Sequence, residues 1–558
     1  MSESSSLGFL EHLYREGYHD ELYRQSGAQE PHRFDRSRID DFLERFRKAV
    51  SDLEGNDRSE QDDHRIAEPL MNRFKEIGFF GLNIPEQYGG LGLTMSEYLA
   101  VVAEAAQSDL SYTIVPLAHL SIGVKGVLLF GTDEQKERLL PKAASGEMVF
   151  AYSLTEARHG SDAQHIETHA EPDESGDFYV LNGSKTYVTN GNYADAYTVF
   201  CRLGKAEEAK LIALVVDRDA EGVWVGKDIP KMGLHMSSTA ALRFKDVRVP
   251  KENLLGDEGE GFKVAMSVLN YGRLGLAAAS AGLMHRSAAD MLDRATDREQ
   301  FGRKIVDFEL IREKIARARA HALGAEGIMY FTARLLERDA RMNVAIESSH
   351  AKLYGTTRCW DTLYDAMQVA GGAGYLRTMP YEKRMRDFRV TTIFEGTTEI
   401  HSMYPALTIA RGLSERLGRR GALGKLFELI RFRRARELRA IKPNATPLAA
   451  AIRSARRGEA IVRRLVAKAV TKYRRGVTER EFVLRRITTA SLSVYVLLGA
   501  VSHLERTYGE RAEIPERELA SLAYLKEEAD ELFAAPLSVE NTRLERATHR
   551  LVESMPGS

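Results

Sequence analysis

Cysteine is scarce in this 558-residue chain, which contains only Cys201 and Cys359. Two cysteines so far apart in sequence predict no disulfide framework and no cysteine-based metal site, and they fit a reducing compartment. The chain also lacks an excess of either charge, since 79 Lys and Arg are matched by 80 Asp and Glu, giving a net charge of −1. The total charge therefore indicates no polyanionic partner.

The sequence has little that predicts export or membrane insertion. Its N-terminus is acidic and lacks the basic and then apolar pattern of a signal peptide. The longest uncharged run near the C-terminus, Ile487–Leu504, contains three serines, two threonines, a glycine and a histidine. This composition predicts a buried helix rather than a membrane span.

The spacing of apolar residues changes twice along the chain. It is helical from about residue 36, alternates with period two from 151 to about 250, and is helical again from about 258 to the end. This order predicts an α+β, mostly helical protein and argues against the βαβ alternation of a Rossmann domain. The predicted domains are a polar, loosely ordered leader (1–35), an N-terminal helical domain (36–150), a β domain (151–257), a helical domain (258–415) and a basic linker with an additional helical domain (416–558).

A change in charge marks the start of the last domain. Between Arg411 and Arg475 there are 20 Lys and Arg against four Glu, a local excess of +16. A solvated charged face is the usual interpretation of such a run. Residues 416–442 also carry apolar side chains beside the arginines, the composition of a helix lying in an anionic membrane surface: Leu426, Phe427, Leu429, Ile430 and Leu438. We expect a cytoplasmic protein that this segment can bring to the inner face of the membrane. We favour a membrane over DNA as the partner of the segment, because DNA binding would leave the apolar side chains without a partner.

Motifs for nucleotide and metal binding are incomplete. The glycines of "YGGLGL" and "VAGGAGYL" do not have G-x-G-x-x-G spacing, and "NGSKT" lacks the upstream glycine and the Gly-Lys pair of a phosphate loop. His165 and His169 lie in a predicted β region, where residues four apart share a face but stand too far apart for one metal ion. We expect no metal.

One carboxylate stands out in "TTIFEGTTEIH", residues 391–401. Glu395 follows an apolar pair and precedes a glycine, which suits a carboxyl group in a partly dry pocket beside a closely approaching ligand. The stretch equally suits a helix N-terminus, with Thr397 or Thr398 as the cap and Glu399 in the first turn. By itself it leaves both interpretations open.

Three further stretches place small, hydroxyl or polar residues where a ligand could approach: "AYSLTEARHGSDA" (151–163), "DREQFGRKIVDFELIREKIA" (297–316) and "MQVAGGAGYL" (367–376). Each alone is more often a structural turn. Together with "IPEQYGGLGL", "NGSKTYVTNG", "FKDVRVPKENLLG" and "IFEGTTEI", they resemble the acyl-CoA dehydrogenase family from about Ile77 to Arg411. Within that family, "AHLSIGVKGVLLFGT", "VLNYGRLG" and the C-terminal extension resemble the very-long-chain acyl-CoA dehydrogenase branch.

The resemblance implies a fold, a reaction and partners. The fold is an N-terminal helical domain, a central β-barrel domain, a C-terminal four-helix bundle and an extra C-terminal helical domain, assembled as a homodimer. The reaction is FAD-dependent α,β-dehydrogenation of a medium- to long-chain acyl-CoA to trans-2-enoyl-CoA, the first step of β-oxidation. Electrons pass to an electron-transferring flavoprotein. Two other functions stay open: a non-catalytic, DNA-binding or regulatory flavoprotein of the same fold, and an acyl-CoA oxidase.

The resemblance also assigns roles residue by residue. Glu395 corresponds to the catalytic base and Gly396 leaves room for the thioester, while Ser161, Asn270 and Arg273 correspond to positions near the CoA part of the substrate. The positions that bind FAD in the family correspond to Tyr152, Leu154, Thr155, Gly160, Ser161, Tyr187, Val188, Thr189, Arg298, Gln300, Phe301, Gln368, Val369, Gly371, Gly372, Thr397, Thr398 and Glu399. Those from Arg298 to Gly372 are expected to act partly across the dimer interface.

The base in this reaction must remove a proton α to a thioester, which is a weak acid. Its removal needs a carboxylate whose pKa is raised by a dry site. The sequence departs from the family at Ala157, where proline is usual, and at Tyr187, where tryptophan is usual. Where the very-long-chain enzymes are rich in glycine, this chain has the bulky residues Tyr112, Pro116 and Leu117. These residues predict a fall in activity with the longest acyl chains.

Overall fold

The structure is a computed structural model that describes residues 6–24, 36–54, 66, 68–206, 208–442, 446–509 and 513–555. Helices make up most of it, and the strands of its large sheet lie between residues 150 and 250. The mostly helical α+β fold predicted from the apolar spacing is confirmed.

The N-terminal segment packs against the body of the protein. It forms α1 (Phe9–Arg15) and α2 (Asp20–Arg24). The backbone N–H of Leu10 donates to the buried carboxylate of Glu347 at 2.5 Å, and Arg463 donates to the carbonyl of Leu13 at 2.9 Å. The prediction of a loosely ordered leader is wrong for residues 6–24, because one helical turn brings four apolar side chains into the core: Phe9, Leu10, Leu13 and Tyr14.

The N-terminal helical domain supplies one side of the central cavity. Its helices are α3 (Arg36–Glu54), α4 (Glu68–Glu76), α5 (Met95–Ser108), α6 (Leu110–Ala118), α7 (Lys125–Phe130) and α8 (Asp133–Ser145). A π-helical turn, His119–Gly123, joins α6 to α7. Capping boxes fix the starts of α5 and α8, where Thr94 and Thr132 each exchange hydrogen bonds with the residue three positions later.

The β domain is one curled sheet. Its strands are β1 (Phe150–Ser153), β2 (His169–Pro172), β3 (Phe178–Thr189), β4 (Ala196–Leu203), β5 (Leu211–Asp217), β6 (Val223–Val225) and β7 (Thr239–Pro250). They pair in the order β1-β4-β2-β3-β7-β6, and β5 pairs with β4. The β3–β7 pairing is irregular between Lys185 and Val188. Within this irregularity Tyr187 has a φ of +55° and a side chain that is 66% exposed.

A bundle of long helices carries the stretch around Glu395. The bundle helices are α9 (Gly261–Asp297), α10 (Glu309–Arg338), α11 (Ala345–Ala370) and α13 (Thr398–Gly418). A small hairpin of β8 (Glu299–Gln300) and β9 (Arg303–Lys304) follows α9, and α12 (Pro380–Phe388) precedes α13. The bundle ends at Gly418, three residues after the predicted boundary at 415.

The C-terminal extension packs on the bundle. It contains α14 (Ala422–Arg434), α15 (Thr446–Tyr473), α16 (Glu481–Tyr508), α17 (Glu516–Ala534) and α18 (Arg543–Glu553). α16 lies against α10 so closely that a Cβ at Gly499 would come 2.8 Å from the carbonyl carbon of Gly327. Glycine at both positions therefore lets these two helices touch.

In the part of the chain that the structure describes, two helical segments are long and apolar enough to cross a membrane, Leu110–Phe130 and Glu481–Tyr508. Most of each apolar window, 83% and 78%, is buried inside the structure, as in the core helices of a folded domain. The prediction that Ile487–Leu504 forms a buried helix is confirmed.

Candidate active site

A cavity of about 430 Å³ lies between the N-terminal helical domain, the sheet and the bundle. One apolar wall comes from α6 and the π-helical turn, where residues at four-residue spacing face inward: Ile114, Ala118 and Ile122. The first part of α9 provides another apolar wall of Phe262, Met266 and Leu269. Beyond it on the same helix, Asn270 and Arg273 add polar groups.

The residues predicted to narrow a substrate channel lie elsewhere. Tyr112, Pro116 and Leu117 are all described, and none of the three lines the cavity. The ring of Tyr112 packs against Phe74 instead, with ring centroids 6.0 Å apart. The prediction that these three side chains line the channel is wrong, because α6 turns its face with Ile114 and Ala118 toward the cavity. The fall in activity with the longest chains stays a prediction.

Glu395 lies in the cavity wall, directly before α13. Thr397 caps α13 and its hydroxyl accepts a hydrogen bond from the backbone N–H of Ile400, while Glu399 lies in the first turn. Both interpretations of the stretch therefore hold, with the cap at Thr397 and the pocket at Glu395. Glu395 and Gly396 have φ values of +55° and +98°, so the backbone turns sharply at this point.

The carboxylate of Glu395 is packed against α9. A Cβ added at Gly272 would come 2.6 Å from each carboxylate oxygen. Glu395 Oε2 is buried and has no hydrogen-bond partner within the described part of the chain. Burial raises the pKa of Glu395 to about 7, although the positive charges of Arg273 and Lys352 counter part of this rise. A carboxyl group with this pKa can accept a proton near neutral pH.

Donors from three helices hold the backbone of this turn. The guanidinium Nε of Arg273 donates to the carbonyl of Glu395 at 3.3 Å, and His401 lies 3.1 Å from the same carbonyl. The ammonium of Lys352 donates to the carbonyl of Gly396 at 2.6 Å. The turn that carries the carboxylate is therefore tied to α9, α11 and α13.

The sheet supplies a polar wall opposite Glu395. Residues from β1, from the loop after it and from the end of β3 line it: Tyr152, Leu154, Thr155, Gly160, Ser161, Tyr187 and Thr189. The two segments are joined, because the N–H of Thr186 donates to the carbonyl of Thr155 at 2.8 Å. The side chain of Val188 faces the opposite way and is buried in the core of the sheet. Only its backbone can contact a ligand here.

A buried ion pair fixes the loop that forms this wall. Lys185 donates to Glu156 at 2.7 Å and to the carbonyl of Leu154 at 2.9 Å. The same carboxylate accepts hydrogen bonds from the backbone N–H groups of Glu167 and Thr168. With its oxygens satisfied in this way, Glu156 stabilises the loop in the absence of the proline usual at Ala157.

Comparison with known proteins shows the family to which this chain belongs. Profiles for the N-terminal, middle and C-terminal domains of acyl-CoA dehydrogenases match residues 36–147, 151–247 and 259–413. The chain is 37% identical over 494 residues to the human mitochondrial very long-chain specific acyl-CoA dehydrogenase, covering 84% of this chain and 74% of that protein. The chain belongs to the acyl-CoA dehydrogenase family.

Two further relatives bear on cofactor and partner. A crystal structure of an acyl-CoA dehydrogenase from Bacillus anthracis complexed with FAD superimposes with a TM-score of 0.78 at 27% identity, covering 96% of this chain and 94% of that one. CarC, a subunit of the caffeyl-CoA reductase-Etf complex of Acetobacterium woodii, is 34% identical over 62% of this chain and 90% of its own length. This acyl-CoA dehydrogenase is an FAD-dependent oxidoreductase.

The polar wall fits a flavin. Tyr187 is exposed and lines the cavity, and Thr155, Ser161 and Thr189 add hydroxyl groups to the same lining. Gly160 has open space where a Cβ would stand, so a ring system can approach the backbone there. These residues would hold the flavin, which supplies the two-electron acceptor when bound.

The other predicted FAD residues do not line the cavity of this chain. Thr397 and Thr398 face the start of α13, and Glu399 is exposed there. Val369 is buried between helices, whereas the remaining residues lie at the surface of the β8–β9 hairpin and at the end of α11: Arg298, Gln300, Phe301, Gln368, Gly371 and Gly372. Phe301 is 94% exposed. The role of the residues from Arg298 to Gly372 across a dimer interface stays a prediction.

Reasoning from the sequence missed several residues of the site. Gly272 interrupts a long helical pattern, which is a weak signal of close approach. Lys352 and His401 gave no signal, because each reaches the turn at Glu395 from a different helix. Ile114 and Ala118 lie in the segment predicted to form the channel, but the prediction named their neighbours Tyr112, Pro116 and Leu117 instead.

Proposed function

We propose that this enzyme converts a medium- to long-chain acyl-CoA into the trans-2-enoyl-CoA, the first step of β-oxidation. The observation that carries the proposal is the position of Glu395 between an apolar wall and the wall that fits FAD, with its oxygen Oε2 buried and without a hydrogen-bond partner among the described residues. The carboxylate of Glu395 takes the α-proton of the thioester, and FAD held at the wall with Thr155, Ser161 and Tyr187 would supply the acceptor for the hydride of the β-carbon.

The walls of the cavity support an acyl substrate. The faces of α6 and α9 with Ile114, Ala118 and Met266 hold the hydrocarbon chain away from water. The polar residues Asn270 and Arg273 and the loop at Ser161 lie on the path of the CoA part. Gly396 lines the cavity directly after the base, but the ring of His401 fills the space where its Cβ would stand, so the predicted room for the thioester beside Gly396 is not present.

We further propose that the enzyme acts as a homodimer and passes its electrons to an electron-transferring flavoprotein. The exposed Arg298, Gln300 and Phe301 support the dimer, since a second subunit at the hairpin would cover them. The similarity to a subunit of an Etf complex supports the electron acceptor.

The basic segment supports a third proposal, contact with an anionic membrane surface. On α14 the apolar side chains of Leu423, Leu426, Phe427 and Ile430 are exposed, and Phe427 is 65% exposed. Leu429 is half-buried and Leu438 is buried, so these two predicted members belong to the inner side.

The other side of α14 ties it to the protein. Buried Glu428 lies within 3.6 Å of Arg416, Arg420 and Arg431. The remaining arginines line an open cleft between α14 and α15 with Ile430 and Ile461: Arg433, Arg434, Arg436 and Arg464. Exposed apolar side chains beside these positive groups complement the phosphates and acyl region of an anionic bilayer.

Anaerobic mixing with straight-chain acyl-CoAs tests the main proposal. We expect medium- and long-chain acyl-CoAs to bleach the absorbance of bound FAD and to yield 2-enoyl-CoA, with reoxidation by an electron-transferring flavoprotein. Retained flavin absorbance with the whole panel would contradict the proposal and favour a binding protein of this fold. Fast reoxidation of the reduced enzyme by O₂ would instead identify an oxidase.

A further inference from the structure

A pair of buried side chains, Ser349 and His401, lies behind the turn that carries Glu395. The ring Nε2 of His401 lies 3.1 Å from the carbonyl oxygen of Glu395, and its Nδ1 lies 2.7 Å from the hydroxyl of Ser349. Both side chains are 1% exposed or less. A Cβ at Gly396 would come 2.6 Å from the same Nε2, so the ring also occupies the space beside that residue.

The direction of each hydrogen bond follows from the chemistry of the partners. A carbonyl oxygen only accepts, so Nε2 of His401 carries the hydrogen and donates to Glu395. Burial, together with the charges of Arg273 and Lys352, lowers the pKa of His401 well below its usual value and keeps the ring neutral. The Nδ1 atom of a neutral ring with Nε2–H has a lone pair, so the hydroxyl of Ser349 donates to it.

The pair acts on a backbone that is held in a sparsely populated conformation. Glu395 is a non-glycine residue with a φ of +55°, a conformation that persists only where its surroundings hold it. Arg273 also bonds the carbonyl of Glu395, but at the longer distance of 3.3 Å. We infer that Ser349 and His401 form a positioning pair that holds the backbone of Glu395 so that its carboxylate points into the cavity.

This inference rests on the proposed role of Glu395 as base, and it adds two positioning residues to it. A displaced carboxylate would remove the α-proton more slowly without changing the walls that bind the substrate. Misplacement by about 1 Å can lower a rate by about 100-fold. Loss of the pair should therefore lower kcat and leave the KM for acyl-CoA nearly unchanged.

The test compares His401→Leu, His401→Gln and Ser349→Ala as FAD-loaded enzymes. We expect His401→Leu to lower kcat by about 10- to 100-fold, with a smaller loss for Ser349→Ala, because the carbonyl of Glu395 loses its donor or the ring loses its fixed tautomer. His401→Gln should restore kcat to within about threefold of wild type, since its amide N–H can reach the same carbonyl. KM should change by less than about threefold in all three.

A second readout isolates the proton transfer from the redox step. A 3,3-dimethylacyl-CoA has no β-hydrogen, so its α-hydrogens exchange with D₂O by the action of the base alone. Exchange should fall in His401→Leu by the same factor as kcat. Thr356→Val is the matched control, because Thr356 is buried on α11, the helix of Ser349, and its hydroxyl donates to the backbone carbonyl of Lys352. It should change stability without changing kcat or exchange.

The outcomes separate the inference from the proposed function. Wild-type kcat and exchange in His401→Leu, or no recovery in His401→Gln at equal FAD content and melting temperature, would overturn the positioning pair while leaving Glu395 as base. Unchanged exchange in Glu395→Gln, run alongside, would instead overturn the proposed function itself.

Discussion

The carboxylate of Glu395 lies against the backbone of Gly272, and a Cβ at Gly272 would come 2.6 Å from both of its oxygens. Gly272 lies inside α9, where alanine is a better helix former than glycine by about 1 kcal/mol. The glycine is therefore explained by the space that the carboxylate needs and not by the helix.

Gly272→Ala is expected to lower kcat by about tenfold or more, because the new methyl group displaces the carboxylate from its position. Steady-state kinetics with a good acyl-CoA substrate measures this. Gly275→Ala is the matched control on the same helix, since open space surrounds Gly275 and it does not line the cavity. Equal kcat values for Gly272→Ala and wild type would show that the carboxylate moves aside at no cost.

Glu395→Gln is expected to stabilise the protein at pH 8 and to have no such effect near pH 4. The pKa of Glu395 rises from its usual 4.5 to about 7 on folding. Folding therefore opposes ionisation of Glu395. The free energy of unfolding falls as the pH rises from 4.5 to 7, and the loss is complete above pH 7 at no more than about 3 kcal/mol. Melting temperatures of the two proteins across this range measure it. Glu137→Gln, at an exposed residue of α8, is the surface control. A lower melting temperature for Glu395→Gln at pH 8 would contradict the dry pocket.

Ala118→Phe is expected to shorten the range of substrates. The ring would enter the apolar end of the cavity, so kcat/KM should fall more than about tenfold for hexadecanoyl-CoA and much less for hexanoyl-CoA. Leu117→Ala is the control, because Leu117 does not line the cavity, and it should leave the order of preference unchanged. A preference of Leu117→Ala for longer acyl chains would show that Leu117 narrows the substrate channel, as predicted from the sequence.

Phe427→Asp is expected to weaken binding to vesicles that contain anionic lipid, with the arginines intact. Binding of the wild-type protein should fall with rising salt, since each basic residue near the surface contributes about 1 kcal/mol. Cosedimentation with vesicles measures both effects. Leu544→Asp, at an exposed apolar residue on α18, is the control and should bind as wild type does. Equal binding by Phe427→Asp would show that charge alone attracts the protein to lipid.

Local features of the fold were predictable from sequence. The changes of period placed the sheet and the long helices, and the hydroxyl of Thr397 before Glu399 marked the start of α13. The N-terminal segment was not predictable, since α1 is one short helix and its stability comes from distant partners such as Glu347 and Arg463.

The same limit applies to the site. Glu395 was a candidate from its neighbours in sequence, because a lone carboxylate after apolar residues and before glycine is a local pattern. The pattern suited a helix N-terminus equally, and the resemblance to the family assigned Glu395 as the base. The residues that pack against its carboxylate or hold its backbone lie on the bundle helices, and only the packing of α9, α11 and α13 brings Gly272, Lys352 and His401 to it.

The central claim is that Glu395 is the base. The most direct measurement is anaerobic bleaching of bound FAD by a good acyl-CoA substrate in Glu395→Gln, because the amide preserves the shape of the side chain and cannot take the proton. We expect this variant to retain FAD and to reduce it about 1,000-fold more slowly than wild type. FAD reduction at a rate near that of wild type would contradict the claim.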